Sequence, residues 1–325
     1  MPWWIRGSAR APDVNTVAWV VAAALIAIGC AAAARWRGAA ISHEGPWRTA
    51  VHRFRSHGPA MAAVYLLIAL VVVTMLAPWL VSFEPNDTLI APPEQPPSLA
   101  HPFGTDFAGR DVLSRVLYGG QISLPVAFLS VLLAATIGTG YGAVAGLARE
   151  RVDAVMMRFI DAALAIPRLF LLIAVLAIWG NPSVPLLIVL LGTTGWFGVS
   201  RLVRAEVRAL RSDEWMIAAD ALGATRIRLL WRHALPNVLS PVIVAATLGV
   251  GNIILLEAAL GYLGIGIQPP TASWGNIVQD GAQAVFTVWW LFVFPGLAIV
   301  LTTMSFNIAG DALRDALDPR EVGRR

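Results

Sequence analysis

Few side chains in this 325-residue sequence could do chemistry. Asp161 and Glu257 are carboxylates set within long apolar segments, and two carboxylates that face one substrate can act as general acid and general base. They fall toward opposite ends of their segments, so the sequence does not predict a catalytic pair. All 24 basic residues are arginine, whereas a phosphate-binding P-loop needs a lysine. We therefore expect no ATP hydrolysis by this chain and no enzyme activity.

Metal and thiol chemistry is not expected either. The five histidines are scattered over polar segments without metal-ligand spacing: His43, His52, His57, His101 and His233. The one cysteine, Cys30, lies in an apolar run and cannot form an intramolecular disulfide. We predict no cofactor and no metal.

Residues 212–237 are the longest charged stretch between two apolar runs in the second half of the chain. Ser212 and Asp213 are good N-cap residues, and Gly223 can end a short helix because glycine adopts the left-handed conformation at little cost. An arginine-rich second helix is predicted up to Pro236. The first helix has a compact apolar face: Trp215, Met216, Ala218, Ala219 and Leu222. This helix could dock into a groove of another protein, or the stretch could be an ordinary loop that caps the bundle.

The same stretch resembles the EAA loop of ABC importer permeases. The residues at matching positions are Ala218, Ala219, Gly223, Leu235 and Pro236. The resemblance implies that the loop forms the coupling helix that inserts into an ATPase subunit. It makes these residues candidates for ATPase coupling.

Two positions depart from the pattern of the EAA loop. Ile217 stands where the family usually has glutamate, and His233 stands where isoleucine is usual. The role of the missing glutamate is expected to be absent or to fall to Glu214 or Asp220. We include these two carboxylates among the candidate coupling residues.

The composition is that of a membrane protein. Hydrophobic residues make up 57% of the chain and charged residues only 14%, with a mean hydropathy of +0.68. The high isoelectric point could suggest a nucleic-acid partner, but the arginines cluster beside the ends of apolar segments, as they do in cytoplasmic loops. We predict a lipid bilayer around the protein and no nucleic acid.

We predict an all-α, polytopic membrane protein with six core transmembrane helices. The predicted core spans are residues 59–82, 121–147, 159–180, 184–204, 238–264 and 285–308. Gly138, Gly142 and Gly146 form a smooth stripe for close helix packing in the second span. Pro167 should kink the third span.

Glu257 lies in the fifth core span, where a carboxylate must face the bundle interior, a partner helix or water. It is a candidate translocation-path residue, with a hydrogen bond between packed helices as the alternative. Acid–base pairs at i,i+4 within residues 101–120 predict an amphipathic helix on the outer surface or on a partner. Residues 261–281 predict an external loop with a short re-entrant or surface helix.

An additional apolar run over residues 16–34 predicts a seventh span before the core. A cleaved signal peptide is the alternative, but Arg35 and Arg37 directly after the run argue against it. The arginine asymmetry places the N-terminus outside and the C-terminus in the cytoplasm. The predicted domains are an N-terminal extension with a basic cytoplasmic linker, a permease domain and a cytoplasmic tail: residues 1–58, 59–320 and 321–325.

Three further segments resemble signatures of the peptide/nickel branch of ABC importer permeases: residues 101–124, 258–281 and 310–320. With the EAA-like loop, they make the chain similar to the C-type permease subunit of dipeptide, oligopeptide or nickel importers, which have the type I importer fold in the bacterial cytoplasmic membrane. The resemblance implies a homologous permease as heterodimer partner, two ATP-binding cassette ATPase subunits inside and a solute-binding protein outside. Peptides are the expected solute, with nickel or another small solute as the alternative. Outside this class, the alternatives are a secondary transporter and a membrane scaffold.

Overall fold

The structure, a computed structural model, describes residues 46–225 and 228–317. The predicted span over 16–34 and the predicted tail over 321–325 lie outside these ranges. The helices that it describes are α1 (Pro46–Ser56), α2 (Gly58–Met75), α3 (Ala77–Leu80), α4 (Val112–Leu147), α5 (Glu150–Leu164), α6 (Arg168–Trp179), α7 (Val184–Leu210), α8 (Glu214–Ala221), a π-helix (Leu229–Ala234), α9 (Leu235–Tyr262), α10 (Trp274–Ala282) and α11 (Trp290–Leu317).

Five helical stretches are long and apolar enough to cross a membrane by themselves: α2, α4, α7, the π-helix continued by α9, and α11. The pair α5 and α6 passes the same test only when the two are taken together, and it is bent by 73° at the break between them. Counting the bent pair as one span gives six core spans in the described ranges. The predicted all-α membrane core is thereby confirmed.

The bend lies at Pro167, where the sequence predicts a kink. Proline has no N–H to donate and restricts the backbone of the preceding residue, so α5 ends at Leu164 and α6 begins at Arg168. Two separate helices therefore occupy the place of one kinked helix. The first of them begins at Glu150, earlier than the predicted start at residue 159.

The prediction of an amphipathic surface helix over residues 101–120 is wrong. The chain is a loop up to Asp111, whose carboxylate caps α4 by accepting the Ser114 N–H at 2.8 Å, and the residues that follow are the first turns of a span. Asp106 accepts from the backbone N–H groups of Ala108 and Arg110, both at 2.9 Å. The i,i+4 spacing of charges that suggested a helix therefore belongs to a hydrogen-bonded turn.

The short helix predicted within residues 261–281 is α10. Its N-terminus has a capping box, in which Ser273 and Asn276 bond reciprocally to each other's backbone N–H groups. α10 packs against α9 and α11, and a Cβ at Gly261 would lie only 2.8 Å from the Gly275 Cα. These glycines allow the backbones of α9 and α10 to approach closely.

Candidate functional site

The EAA-like loop begins with α8, whose two sides differ in exposure. Met216 is only 3% exposed and belongs to an apolar cluster with Val207 of α7 and Ala234 of the π-helix, and Ala219 packs against that cluster. Leu222 is 89% exposed at the other end of the helix. The predicted apolar face is thus divided, because only Met216 and Ala219 turn inward whereas the remaining members are exposed: Trp215, Ala218 and Leu222.

Gly223 ends α8 with a backbone φ of +81°. The Gly223 N–H donates to the Asp220 carbonyl at 2.9 Å, and the Ala224 N–H donates back to the Ala219 carbonyl at 3.1 Å. A Cβ at Gly223 would meet no atom within 4 Å. Glycine is therefore favoured here by its conformational freedom rather than by lack of space.

The second helix of the loop does not stop at Pro236 as predicted. The π-helix passes directly into α9, and Pro236 lies in the first turn of α9, where it has no N–H to donate to the helical turn before it. Leu235 packs against the same apolar cluster as Ala219. Leu235 and Pro236 therefore lie where the loop continues into a membrane span.

The residues at the two departures from the EAA pattern have different surroundings. Ile217 is exposed, and His233 packs against Trp215 of α8. The nearby carboxylates Glu214 and Asp220 are exposed and form no ion pair with another residue in the described ranges. The outer side of α8 thus offers apolar side chains flanked by two exposed carboxylates.

An ion pair that the sequence reasoning missed fastens α5 to α7 beside this loop. Asp153 is buried and accepts from Nε and Nη2 of Arg204, both at 2.5 Å, and from Nη1 of Arg208 at 3.1 Å. Arg201 and Asp161 form a second, exposed ion pair between the same two helices. The signal for this pair in the sequence is the i,i+4 spacing of Arg204 and Arg208 on α7.

The predicted glycine stripe lies along the contact between α4 and α7. A Cβ at Gly138 would be 2.7 Å from the Val199 Cβ, and one at Gly146 would be 2.7 Å from the Val207 Cβ. At Gly142 it would collide with the Ser200 carbonyl oxygen. The three glycines therefore lie where the backbones of α4 and α7 approach most closely.

Glu257 is fully buried, so the structure places the predicted path residue inside the subunit. The Ser123 and Ser273 hydroxyls face its carboxylate, but neither carboxylate oxygen receives a hydrogen bond of ordinary geometry from the part of the chain that is described. The Ser123 oxygen itself accepts the Trp274 N–H at 3.2 Å. Glu257 thus lies where α4, α9 and the start of α10 meet.

A second cluster of charges lies at the end of the bundle that carries α10. Arg115 is 1% exposed and pairs with Asp106 and with Asp280 of α10, both at 3.3 Å. Burial raises the pKa of the Asp280 carboxyl, and the charges of Arg115 and Arg110 partly oppose that rise. The cluster joins the loop before α4 to α10, and its residues were expected on a surface helix.

Within 46–225 and 228–317, no three histidine, cysteine, aspartate or glutamate side chains are grouped closely enough to hold an ion.

The described fold has six spans when the bent pair is counted as one, with the helical segment of α8 and the π-helix between α7 and α9. Residues 138–322 match the family described as binding-protein-dependent transport system inner membrane component, and residues 45–97 match the N-terminal TM domain of oligopeptide transport permease C. The chain belongs to the binding-protein-dependent transport permeases.

Curated relatives are similar over most of their length. The dipeptide transport system permease protein DppC of Alkalihalophilus pseudofirmus is 39% identical over 275 residues, which cover 85% of this chain and 90% of the relative. The oligopeptide transport system permease protein OppC of Haemophilus influenzae is 37% identical over 277 residues, which cover 85% of this chain and 89% of the relative. OppC of Bacillus subtilis is 35% identical over 274 residues, which cover 84% of this chain and 90% of the relative.

Family membership settles the class of protein. The chain is a multi-pass inner-membrane permease subunit of an ABC importer, and it is not itself catalytic. Proteins of this family work with an ATPase and a solute-binding protein. The alternatives of a secondary transporter and a membrane scaffold are thereby set aside.

Proposed function

We propose that this subunit forms half of the translocation pathway of an importer for dipeptides or oligopeptides. The observation that carries the proposal is the similarity to dipeptide and oligopeptide permeases over 84–85% of the chain. Nickel or another small solute is the alternative within the same subfamily.

The proposed assembly contains a homologous permease as heterodimer partner, two ATPase subunits on the cytoplasmic side and a solute-binding protein on the outside. The outer side of α8 supports the ATPase contact, because Ile217 and Leu222 expose large apolar side chains beside the exposed carboxylates of Glu214 and Asp220. Exposed apolar side chains with polar neighbours are typical of protein interfaces.

Coupling then runs through packed contacts. Ala218 and the turn at Gly223 contact the ATPase in this assembly. Closure of the ATPase subunits therefore moves α8. Met216 and Ala219 transmit that movement to the ends of α7 and α9, because they share one apolar cluster with both helices. The spans rock between inward and outward openings in response.

Glu257 stays a predicted residue of the pathway region. Its complete burial favours a role in holding α4, α9 and α10 together over direct contact with the solute. The glycine stripe on α4 is assigned to helix packing.

The proposed domains are an N-terminal extension over 1–58, a permease domain over 59–320 and a tail over 321–325, with the N-terminus outside and the C-terminus in the cytoplasm. A topology reporter fused ahead of Pro2 tests the orientation. Activity of a periplasm-specific reporter is expected, and activity of a cytoplasm-specific reporter would refute the external N-terminus.

The solute is tested with the complete complex in proteoliposomes, supplied with its binding protein and with ATP inside. Dialanine, trialanine and Ni²⁺ are offered separately as labelled solutes. Uptake of either peptide and not of Ni²⁺ is expected. Uptake of Ni²⁺ alone would overturn the peptide proposal and support the alternative.

A further inference from the structure

The break between α5 and α6 carries a positive charge at membrane depth. Arg168, the first residue of α6, donates from Nε to the Thr194 hydroxyl at 3.1 Å and from Nη2 to the Leu191 carbonyl at 2.5 Å. Leu191 and Thr194 lie roughly 10–15 Å along α7 from its start at Val184, at about 1.5 Å per residue. The hydrocarbon core of a bilayer is about 30 Å thick, so the guanidinium lies near its middle.

This charge lacks a carboxylate partner in the ranges that the structure describes. The neighbouring carboxylates Asp153 and Asp161 form ion pairs with arginines of α7. A guanidinium offers five N–H donors, and Arg168 directs two of them to the neutral oxygens of Leu191 and Thr194. Its three other donors have no hydrogen-bond partner in the described ranges, and its positive charge is not neutralised there.

The surface beside Arg168 is polar, small and open. Thr194, Gly198 and Arg201 follow i, i+4, i+7 spacing and share one face of α7. A Cβ at Gly198 would meet no atom within 4 Å, and the pair formed by Arg201 and Asp161 is exposed. Arg168 is itself only partly buried, and a charged group that is accessible at membrane depth does not face lipid, so this face borders water or another subunit.

We propose that Arg168 lines the translocation path and binds the C-terminal carboxylate of a peptide in transit. The proposal rests on peptide import as the proposed function. A free peptide brings a carboxylate to the middle of the membrane, where an unpaired negative charge is strongly disfavoured. The planar guanidinium can pair with a carboxylate through two parallel hydrogen bonds while its other donors keep their contacts with α7.

The first test asks whether position 168 meets water in the assembled complex. Arg168→Cys is made in a Cys30→Ser background, and proteoliposomes of the complete complex are treated with a membrane-impermeant, negatively charged thiol reagent. Labelling is expected, and trialanine, binding protein and ATP together should slow it. An unreactive thiol in a fully assembled complex would overturn the proposal, because the position would then face lipid or a sealed subunit contact.

The second test compares trialanine with trialanine amide, which lacks the C-terminal charge. Both are supplied at concentrations that saturate the binding protein, and initial uptake is measured for Arg168→Gln. Glutamine can still donate to α7, so the bend should persist. Trialanine uptake should fall on the order of tenfold, the equivalent of one charged hydrogen bond, while uptake of the amide is unchanged.

Two further variants distinguish a ligand contact from a structural one. Arg168→Lys keeps the charge and should retain part of the preference for trialanine over its amide. Arg149→Gln, at an exposed arginine in the turn before α5, should behave as the wild type does.

Three outcomes would overturn the proposal in different ways. If Arg168→Gln loses as much uptake of trialanine amide as of trialanine, the proposed carboxylate contact is refuted. Peptide import through the complex would still be supported. Loss of the partner permease from purified Arg168→Gln complex would mean that Arg168 pairs with a carboxylate of that subunit. If the wild-type complex imports neither peptide, the proposed function fails, and this proposal fails with it.

Discussion

Trp215 of α8 and His233 of the π-helix pack against each other, with ring centroids 5.9 Å apart and ring planes inclined by 37°. His233 stands where an isoleucine is usual in the EAA loop. The contact holds α8 against the segment that leads into α9. In the proposed mechanism, a movement of α8 reaches a membrane span through this short path of packed side chains.

The two sides of α8 should respond differently to substitution. Leu222→Glu places a charge on the exposed side and should leave the free energy of unfolding of the subunit within about 0.5 kcal/mol of the wild type. It should nevertheless reduce retention of the ATPase subunits during purification. Met216→Ala empties a buried position and should destabilise the subunit by about 2–4 kcal/mol. Thermal unfolding and subunit stoichiometry separate the two effects, and normal ATPase retention in Leu222→Glu would contradict the docking of α8.

The turn at Gly223 should tolerate asparagine better than aspartate or valine. Gly223→Val forces a β-branched residue to a φ of +81°, which costs about 1–2 kcal/mol. Gly223→Asp also places a negative charge at the C-terminal end of a helix, where it is disfavoured. Uptake should be abolished in both with near-normal subunit abundance. Gly223→Asn is the matched control and should keep most uptake, because asparagine adopts the left-handed conformation more readily.

Ala219 should not accept a large side chain. It packs against the apolar cluster at the ends of α7 and α9, and Ala219→Trp should cost about 1–3 kcal/mol there through overpacking. Uptake should be lost together with the ATPase subunits. Full assembly and uptake in Ala219→Trp would show that 212–237 is only a connecting loop.

Alanine substitutions at two glycines of α4, Gly140 and Gly142, should change stability in opposite directions. Gly140→Ala adds a Cβ in open space and should stabilise the helix by up to about 1 kcal/mol. Gly142→Ala brings a Cβ against the Ser200 carbonyl and should destabilise the contact between α4 and α7 by about 1–3 kcal/mol. Thermal unfolding of the purified complex checks both, and equal melting temperatures would refute close packing at Gly142.

The helical architecture could be predicted from sequence because long apolar segments are a strong signal for membrane-spanning helices. The loop over residues 101–111 could not, because Asp106 and Arg110 show the same spacing in a tight turn as on a helix. The burial of Arg115 escaped prediction for a related reason, since its partner Asp280 lies far along the chain. Local spacing does not reveal such long-range ion pairs.

In the candidate site, too, features with a local signal in the sequence could be predicted and features set by long-range packing could not. Gly223 was located from its residue type, because few residues favour a positive φ. The inward direction of Met216 and the outward direction of Leu222 depend on how α8 sits on the apolar cluster, which local periodicity does not determine. The contact of Arg168 with α7 could not be predicted, because Arg168 follows Pro167 in a run of apolar residues and only packing places it beside Leu191 and Thr194, about a third of the way along α7.

The most direct test of the account is ATP-dependent uptake of labelled dialanine by proteoliposomes that contain the complete complex. The account predicts accumulation that requires ATP inside, the binding protein outside and an intact turn at Gly223, so that Gly223→Asp gives none. Accumulation without ATP, or undiminished accumulation in Gly223→Asp, would contradict ATPase-driven peptide import through this subunit.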